Sequence, residues 1–149
     1  MNHDLEKVEF KVIPYGGKEW HEALILKENI LRKPLGQIFS NEEKKQEEKH
    51  INVVGILNQQ IIATALLVAE QSKCKMQRVT IAASLQNQGI GKNLLAYCEE
   101  LISNQSFHLM YCHARDTAVN FYTQNGYQKE GDYFDEDGIP HLKMTKKIS

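Results

Sequence analysis

Apolar and polar residues alternate over residues 8–14, which predicts a first strand with Val8, Phe10 and Val12 on one face. Gly16-Gly17 then marks a turn. Over residues 20–32 the period lengthens: Leu24, Ile25, Lys27, Glu28 and Leu31 fall at helical spacing, and Pro34 and Gly36 stop the helix. Residues 41–49 carry mixed charge and read as a solvated loop or helix face. Residues 51–57 and 61–69 are rich in Ile, Val, Leu and Ala and flank Asn58-Gln59-Gln60, the pattern of a hairpin. Another strand is predicted over 76–82, with Val79 and Ile81 on one face.

The clearest helix covers residues 89–105, where Ile90, Leu94, Tyr97, Cys98, Leu101 and Ile102 form one apolar stripe. Residues 107–113 are apolar on both faces apart from their histidines, which suits a central strand. Asp116 can cap a helix over 117–125, and Gly126 supplies a left-handed stop. Residues 127–134 and 141–147 form a last hairpin around Asp137-Gly138. There is no internal repeat and no Pro/Gly/Ser linker. The pattern therefore predicts one domain over 1–149, of α+β class, with helices on the faces of a sheet.

Charge narrows the function classes. Eighteen basic and nineteen acidic side chains leave a formal net charge of −1, which argues against a nucleic-acid partner. No apolar run is long enough to span a bilayer, so no membrane partner is expected. The polar start, residues 1–6, shows no signal-peptide core, and Cys74, Cys98 and Cys112 are widely spaced and odd in number. Both features point to reduced thiols and a cytoplasmic location.

The stretch Gln86-Asn87-Gln88-Gly89-Ile90-Gly91-Lys92 joins a predicted strand to the amphipathic helix. Glycines there let the backbone turn tightly and aim several N–H groups one way, and the helix adds its positive end. The product is an anion site suited to a pyrophosphate, to which Lys92 can add a direct charge. A Rossmann fingerprint fails because Leu94 stands where a third glycine is needed. A P-loop fails because Gln86 and Asn93 replace its first glycine and its hydroxyl residue. An ordinary strand-to-helix turn remains the alternative.

Gln86-x-x-Gly89-x-Gly91 resembles the acetyl-CoA signature of the GNAT superfamily of N-acetyltransferases, and Val79-Thr80-Ile81 resembles the strand that leads into it. Ala118-x-x-Phe121-Tyr122-x-x-x-Gly126-Tyr127 resembles the second signature of that superfamily. The stretches 31–36 and 135–141 look like an ElaA-like bacterial branch. The resemblance implies a mixed, mostly antiparallel twisted sheet flanked by helices on both faces. It also implies acetyl-CoA as co-substrate, with the pyrophosphate on residues 86–92. The pantetheine arm would pair with the free edge of the splayed strand at Val79, Thr80 and Ile81, a backbone N–H near Ile81 facing the thioester oxygen. The chain departs from the family in two places: Arg115 stands where many relatives carry Asn, and Asn87 where an extra glycine is common. Arg115 could reach a phosphate instead.

Acetyl transfer needs the thioester held beside the amine, a proton removed from the amine, donors for the carbonyl oxygen, and a proton for the departing thiolate. The resemblance assigns the last task to Tyr122, and a phenol with pKa near 10 is protonated at neutral pH. Candidates for the base are His50, His113, His141, Glu28 and Glu136. Of these, Glu28, His113 and His141 are the expected acceptor-side residues. His108, Cys112 and His113 lack zinc-site spacing, so no metal is expected. The predicted reaction is direct transfer to a primary amine, carried by a small molecule or a peptide, with no acetyl-cysteine. The alternatives are a CoA-binding sensor, a transferase of another acyl group, or an interaction module without catalysis. Edge strands of the last hairpin could pair two subunits in a homodimer.

Overall fold

The computed structural model describes residues 7–148 and divides into two compact units. Among the described residues, the first holds the chain from residue 7 to Leu67 together with Arg78–Cys98, and the second holds Val68–Gln77 and the chain from Glu99 to residue 148.

In the first unit, β1 (Glu9–Ile13) pairs antiparallel with β2 (Ile51–Leu57), and β2 with β3 (Gln60–Glu70). Asn58 and Gln59 both have positive φ, 51° and 66°, so a two-residue turn of the hairpin-favoured hand links β2 to β3. Val12 is 46% exposed, whereas Ile13 is buried with Trp20, Ala23, Leu24, Phe39 and Val54. Phe10, on the other side, packs on Tyr97 and lies so close to Gly55 that a Cβ there would come within 2.9 Å of its ring.

Helix α1 (Lys18–Leu31) buries Trp20, Ala23, Leu24 and Lys27 but leaves Ile25 exposed. The left-handed Gly36 ends the 3-10 turn that follows it. Residues 41–49 are not simply a solvated face. Ser40 and Glu43 form a reciprocal capping box that starts α2 (Asn41–Gln46), and Glu47, just beyond, is fully buried. Strand β4 (Lys73–Ile81) begins three residues earlier than the apolar pattern suggested. Within it, Arg78 takes a left-handed φ of 51°. Helix α3 (Ile90–Ser103) follows, and its stripe Ile90, Leu94, Cys98 and Ile102 is buried as expected.

In the second unit the start of β4 pairs parallel with β5 (Leu109–Arg115). β5 pairs antiparallel with β7 (Ile139–Lys147), and β7 with β6 (Gln128–Glu136). β5 thus has a neighbour on each side, as its two-faced apolar character implied. Asp116 does not cap the next helix: it opens a 3-10 turn, and α4 (Val119–Gln124) starts after Ala118 with no side-chain cap. Gly126 has the expected positive φ, 92°, just past that helix. Asp137 and Gly138 are both left-handed, at 56° and 75°, and close the β6–β7 turn. That tight turn lengthens both strands to reach Glu136 and Ile139. The architecture is α+β with a mostly antiparallel sheet, and no helix among the described residues is long and apolar enough to cross a membrane.

Candidate active site

The loop from β4 to α3 has the conformation the glycine pattern called for. After a 3-10 turn (Ala83–Leu85), Gln86 is extended, and Asn87 and Gly89 take positive φ of 63° and 88° on either side of Gln88. Left-handed residues so placed curl successive N–H groups toward one side. The N–H groups of the first turn of α3, which includes Ile90, Gly91 and Lys92, have no acceptor within the helix. That turn carries no acidic residue. Ile90 is buried and pins the helix start, while Gln86, Asn87, Gln88, Gly89 and Lys92 are exposed. A Cβ added at Gly89 would meet nothing within 4 Å, so space stands open above the turn. Two side chains brace it: Gln86 donates to the Ile81 carbonyl at 3.1 Å and Gln88 to the Ser84 carbonyl at 3.3 Å.

Upstream, the Thr80 side chain is 2% exposed, and its hydroxyl lies 2.6 Å from that of Thr64. The side chain is therefore a core pin, and only its backbone can serve a ligand. The Thr64 hydroxyl also lies 2.8 Å from the Arg78 carbonyl, holding the left-handed residue that precedes Val79. The guanidinium of Arg78 pairs with buried Glu47, stacks on Phe39 and donates to the Glu43 carbonyl. Glu47 also accepts from Trp20 Nε1 at 2.9 Å and from Lys27 Nζ at 2.5 Å. Sequence reasoning missed this cluster. The available signal was Lys27, a cation on the buried stripe of α1. Glu28 accepts from the Phe39 N–H through Oε2 at 2.9 Å. His50 lies at the start of β2, and burial holds its imidazole below the ordinary value, with Arg78 and Lys49 acting in the same direction.

In the second unit, Tyr122 is buried at 6% exposure, with its ring against Phe121 and Tyr127. It hydrogen-bonds to the Cys112 thiol, which burial pushes up to about 12 in spite of that contact. Burial also raises Cys74, to about 11, and all three cysteines are buried. Arg115 closes β5 opposite His141 in the β5–β7 register.

The same register brings three of the candidate residues together. His113 on β5 and His141 on β7 are diagonal neighbours, because His113 lies opposite Lys143. Glu136 on β6 spans both: Oε1 is 3.0 Å from His113 Nδ1 and Oε2 is 3.5 Å from His141 Nε2. The ring of Phe134, which pairs with His141, sits edge-on to His113 at 5.0 Å and stacks on His141 at 6.1 Å. Among the described residues, no group of three or more His, Cys, Asp or Glu side chains is arranged to hold a metal ion.

The family model described as "Acetyltransferase (GNAT) domain" matches residues 24–148. Protein YyaT of Bacillus subtilis is 36% identical over 75 residues, which cover 50% of this chain and 51% of that protein. The chain spans about half the length of the Bacillus subtilis relatives it matches. Protein ElaA of Escherichia coli is 22% identical over 116 residues, covering 75% of this chain and 74% of that protein. A crystal structure of a GNAT family acetyltransferase from Elizabethkingia anophelis with acetyl-CoA bound shares the fold. Its TM-score is 0.73 at 16% identity, covering 98% of this chain and 99% of that one.

Proposed function

The chain belongs to the GNAT acetyltransferase family, and on that premise we propose that it moves an acetyl group from acetyl-CoA to a primary amine by direct transfer in a ternary complex. The observation that carries this reading is the turn at the head of α3. It has left-handed Asn87 and Gly89, an acid-free first helical turn, and open space where a side chain would stand at Gly89. That combination suits a pyrophosphate. In this reading the amides of residues 86–92 hold the pyrophosphate, Lys92 and Arg115 add charge, and the backbone of Val79, Thr80 and Ile81 pairs with the pantetheine arm. The bound acetyl-CoA of the Elizabethkingia structure supports the choice of co-substrate. ElaA supports an ElaA-like branch.

Tyr122 protonates the departing thiolate in this scheme. Its burial suits the role, because a phenol shielded from water delivers its proton to a thiolate rather than to solvent. Direct transfer is favoured over an acetyl-cysteine because burial raises the thiols of Cys74 and Cys112 to about 11 and about 12, which leaves almost no thiolate to attack. Glu28, His113 and His141 are assigned to the acceptor side. The acceptor is a small-molecule or peptide amine, the location cytoplasmic, residues 1–149 one functional domain, and pairing through the last hairpin a route to a homodimer.

The test is calorimetry with acetyl-CoA, followed by an amine library read by thiol release. Micromolar binding and turnover of at least one primary amine are expected. Binding without thiol release would replace the reading with a CoA sensor. Equal turnover of longer acyl-CoAs would broaden the donor, and no binding of any CoA species would leave an interaction module.

A further inference from the structure

We propose that His113, oriented by Glu136, is the base that takes a proton from a cationic primary amine. The inference rests on the acetyl-transfer reading above and names its acceptor side. A carboxylate can only accept, so the 3.0 Å contact from Glu136 Oε1 places the hydrogen of His113 on Nδ1. The neutral ring then carries its lone pair on Nε2, where a base needs it. His113 is 25% exposed at its side chain, enough to meet a substrate.

Two features hold Glu136 in place. The tight turn at Asp137-Gly138 sets Glu136 opposite Ile139 across the hairpin. His141, buried at 5% exposure, brings Nε2 to 3.5 Å from the second carboxylate oxygen and holds it when that nitrogen also carries a proton. His141 cannot rotate away, because its own Nδ1 donates to the Ile139 carbonyl at 2.8 Å. Phe134 closes one side against both rings. The other charged and titratable groups of these strands face other partners or flank the site. Lys143, opposite His113, reaches Glu130 at 3.6 Å and lies over the Tyr111 ring. The Tyr111 hydroxyl donates to Glu70 at 2.6 Å. Arg115 stands opposite His141, and Asp135 is exposed beside Glu136.

The ammonium gives a proton to His113 Nε2, and the imidazolium so formed faces the carboxylate of Glu136, as in other carboxylate-oriented histidine bases. The freed amine attacks the thioester carbon, a C–N bond forms and the C–S bond breaks. The thiolate takes the Tyr122 proton, and the new amide returns its extra proton to the tyrosinate. The imidazolium then loses its proton to solvent. His113 is catalytic here, and Glu136 is a positioning residue.

The experiment uses the full chain, with hexylamine and 2,2,2-trifluoroethylamine as probes. The first is an ammonium at neutral pH and the second is already neutral, so only the first needs a base. His113→Asn should lose roughly 10²-fold or more in kcat/KM for hexylamine. It should lose the acid limb of the pH profile, yet keep its rate with trifluoroethylamine and its affinity for acetyl-CoA. Imidazole 15N spectra should show the Nδ1–H tautomer of His113 in the parent and its loss in Glu136→Leu, which removes the acceptor. Equal loss with both amines, or none with either, overturns the proposal, as does an Nε2–H tautomer in the parent. A parent that binds acetyl-CoA but releases no thiol with hexylamine overturns the ammonium assignment alone. Failure to bind acetyl-CoA sinks the acetyl-transfer reading instead, and the 15N spectra still decide the dyad.

Discussion

Glu47→Gln isolates the buried ion cluster of the first unit. In the parent, one carboxylate at 1% side-chain exposure faces Lys27 at 4% and Arg78 at 12%. The variant keeps the shape and removes the only anion of that trio. Breaking a buried pair by removing one partner costs about 3–5 kcal/mol, because a charge is left uncompensated. Lys27 sets a ceiling on its share. Burial already holds its ammonium below the ordinary 10.5, ahead of the opposing pull of Glu47, and Arg78 adds to the depression. Without Glu47 the side chain can shed its proton, which at neutral pH costs about 1.4 kcal/mol for each of some 3.5 units below 10.5, or about 5 kcal/mol. The expected loss of about 3–5 kcal/mol is a large part of the roughly 5–15 kcal/mol that holds an ordinary domain together. The sign with pH follows from proton counting. A lysine depressed in the folded state binds more protons when unfolded, so its penalty shrinks as pH rises through the window below 10.5. Urea unfolding at neutral and at alkaline pH should therefore show a deficit that narrows at the higher pH, and adding Lys27→Met should recover part of it. A loss under about 1 kcal/mol that ignores pH would refute the cluster as a buried charge network.

Gly89→Val should fold, since a Cβ meets nothing there, but the left-handed φ of 88° is strained for a β-branched residue. Calorimetry should show a large loss of acetyl-CoA affinity, and unchanged affinity would reduce the nest to a plain turn. Tyr122→Phe keeps the ring against Tyr127 and loses the hydroxyl contact to Cys112, so stability should fall by only about 1 kcal/mol. Its turnover should drop roughly 10²-fold with a much smaller change in acetyl-CoA affinity. Normal turnover would remove Tyr122 from the mechanism. The folded protein's thiols should resist iodoacetamide at mildly alkaline pH and react only in denaturant, because Cys74 and Cys112 are buried and raised. Replacing all three by Ala should leave turnover within a few-fold. Trapped acetyl-enzyme in the parent would overturn direct transfer.

Much of the framework is local and was legible along the chain. The stripe Ile90, Leu94, Cys98 and Ile102 recurs at helical period, and one side of α3 is buried along it. Asp137-Gly138 and Gly89 announce turns because few other residues tolerate a left-handed backbone. Other features were hidden for reasons that can be named. Ile25 fits a helical period yet stays exposed, since spacing does not say which side meets the core. Alternation in β1 put Phe10 and Val12 on one face, yet Val12 is exposed and Ile13 on the other face is buried, because cover depends on what packs over each position.

Glu47 looked like one more acid in a charged run, and its burial depends on cations 20 and 31 residues away in the chain. Arg78 breaks a stretch that reads as uninterrupted strand, and its left-handed turn is held by Thr64 and Glu47 rather than by its own type. His113, Glu136 and His141 were each named as candidates, but only the register of β5, β6 and β7 joins them around one carboxylate. By itself the sequence determined the periods, the turns and the chemical types, because these depend on neighbours a few bonds away. Tertiary structure alone decided which charges are buried and which nitrogen keeps its proton, because both depend on partners that the chain brings into contact only after it has folded.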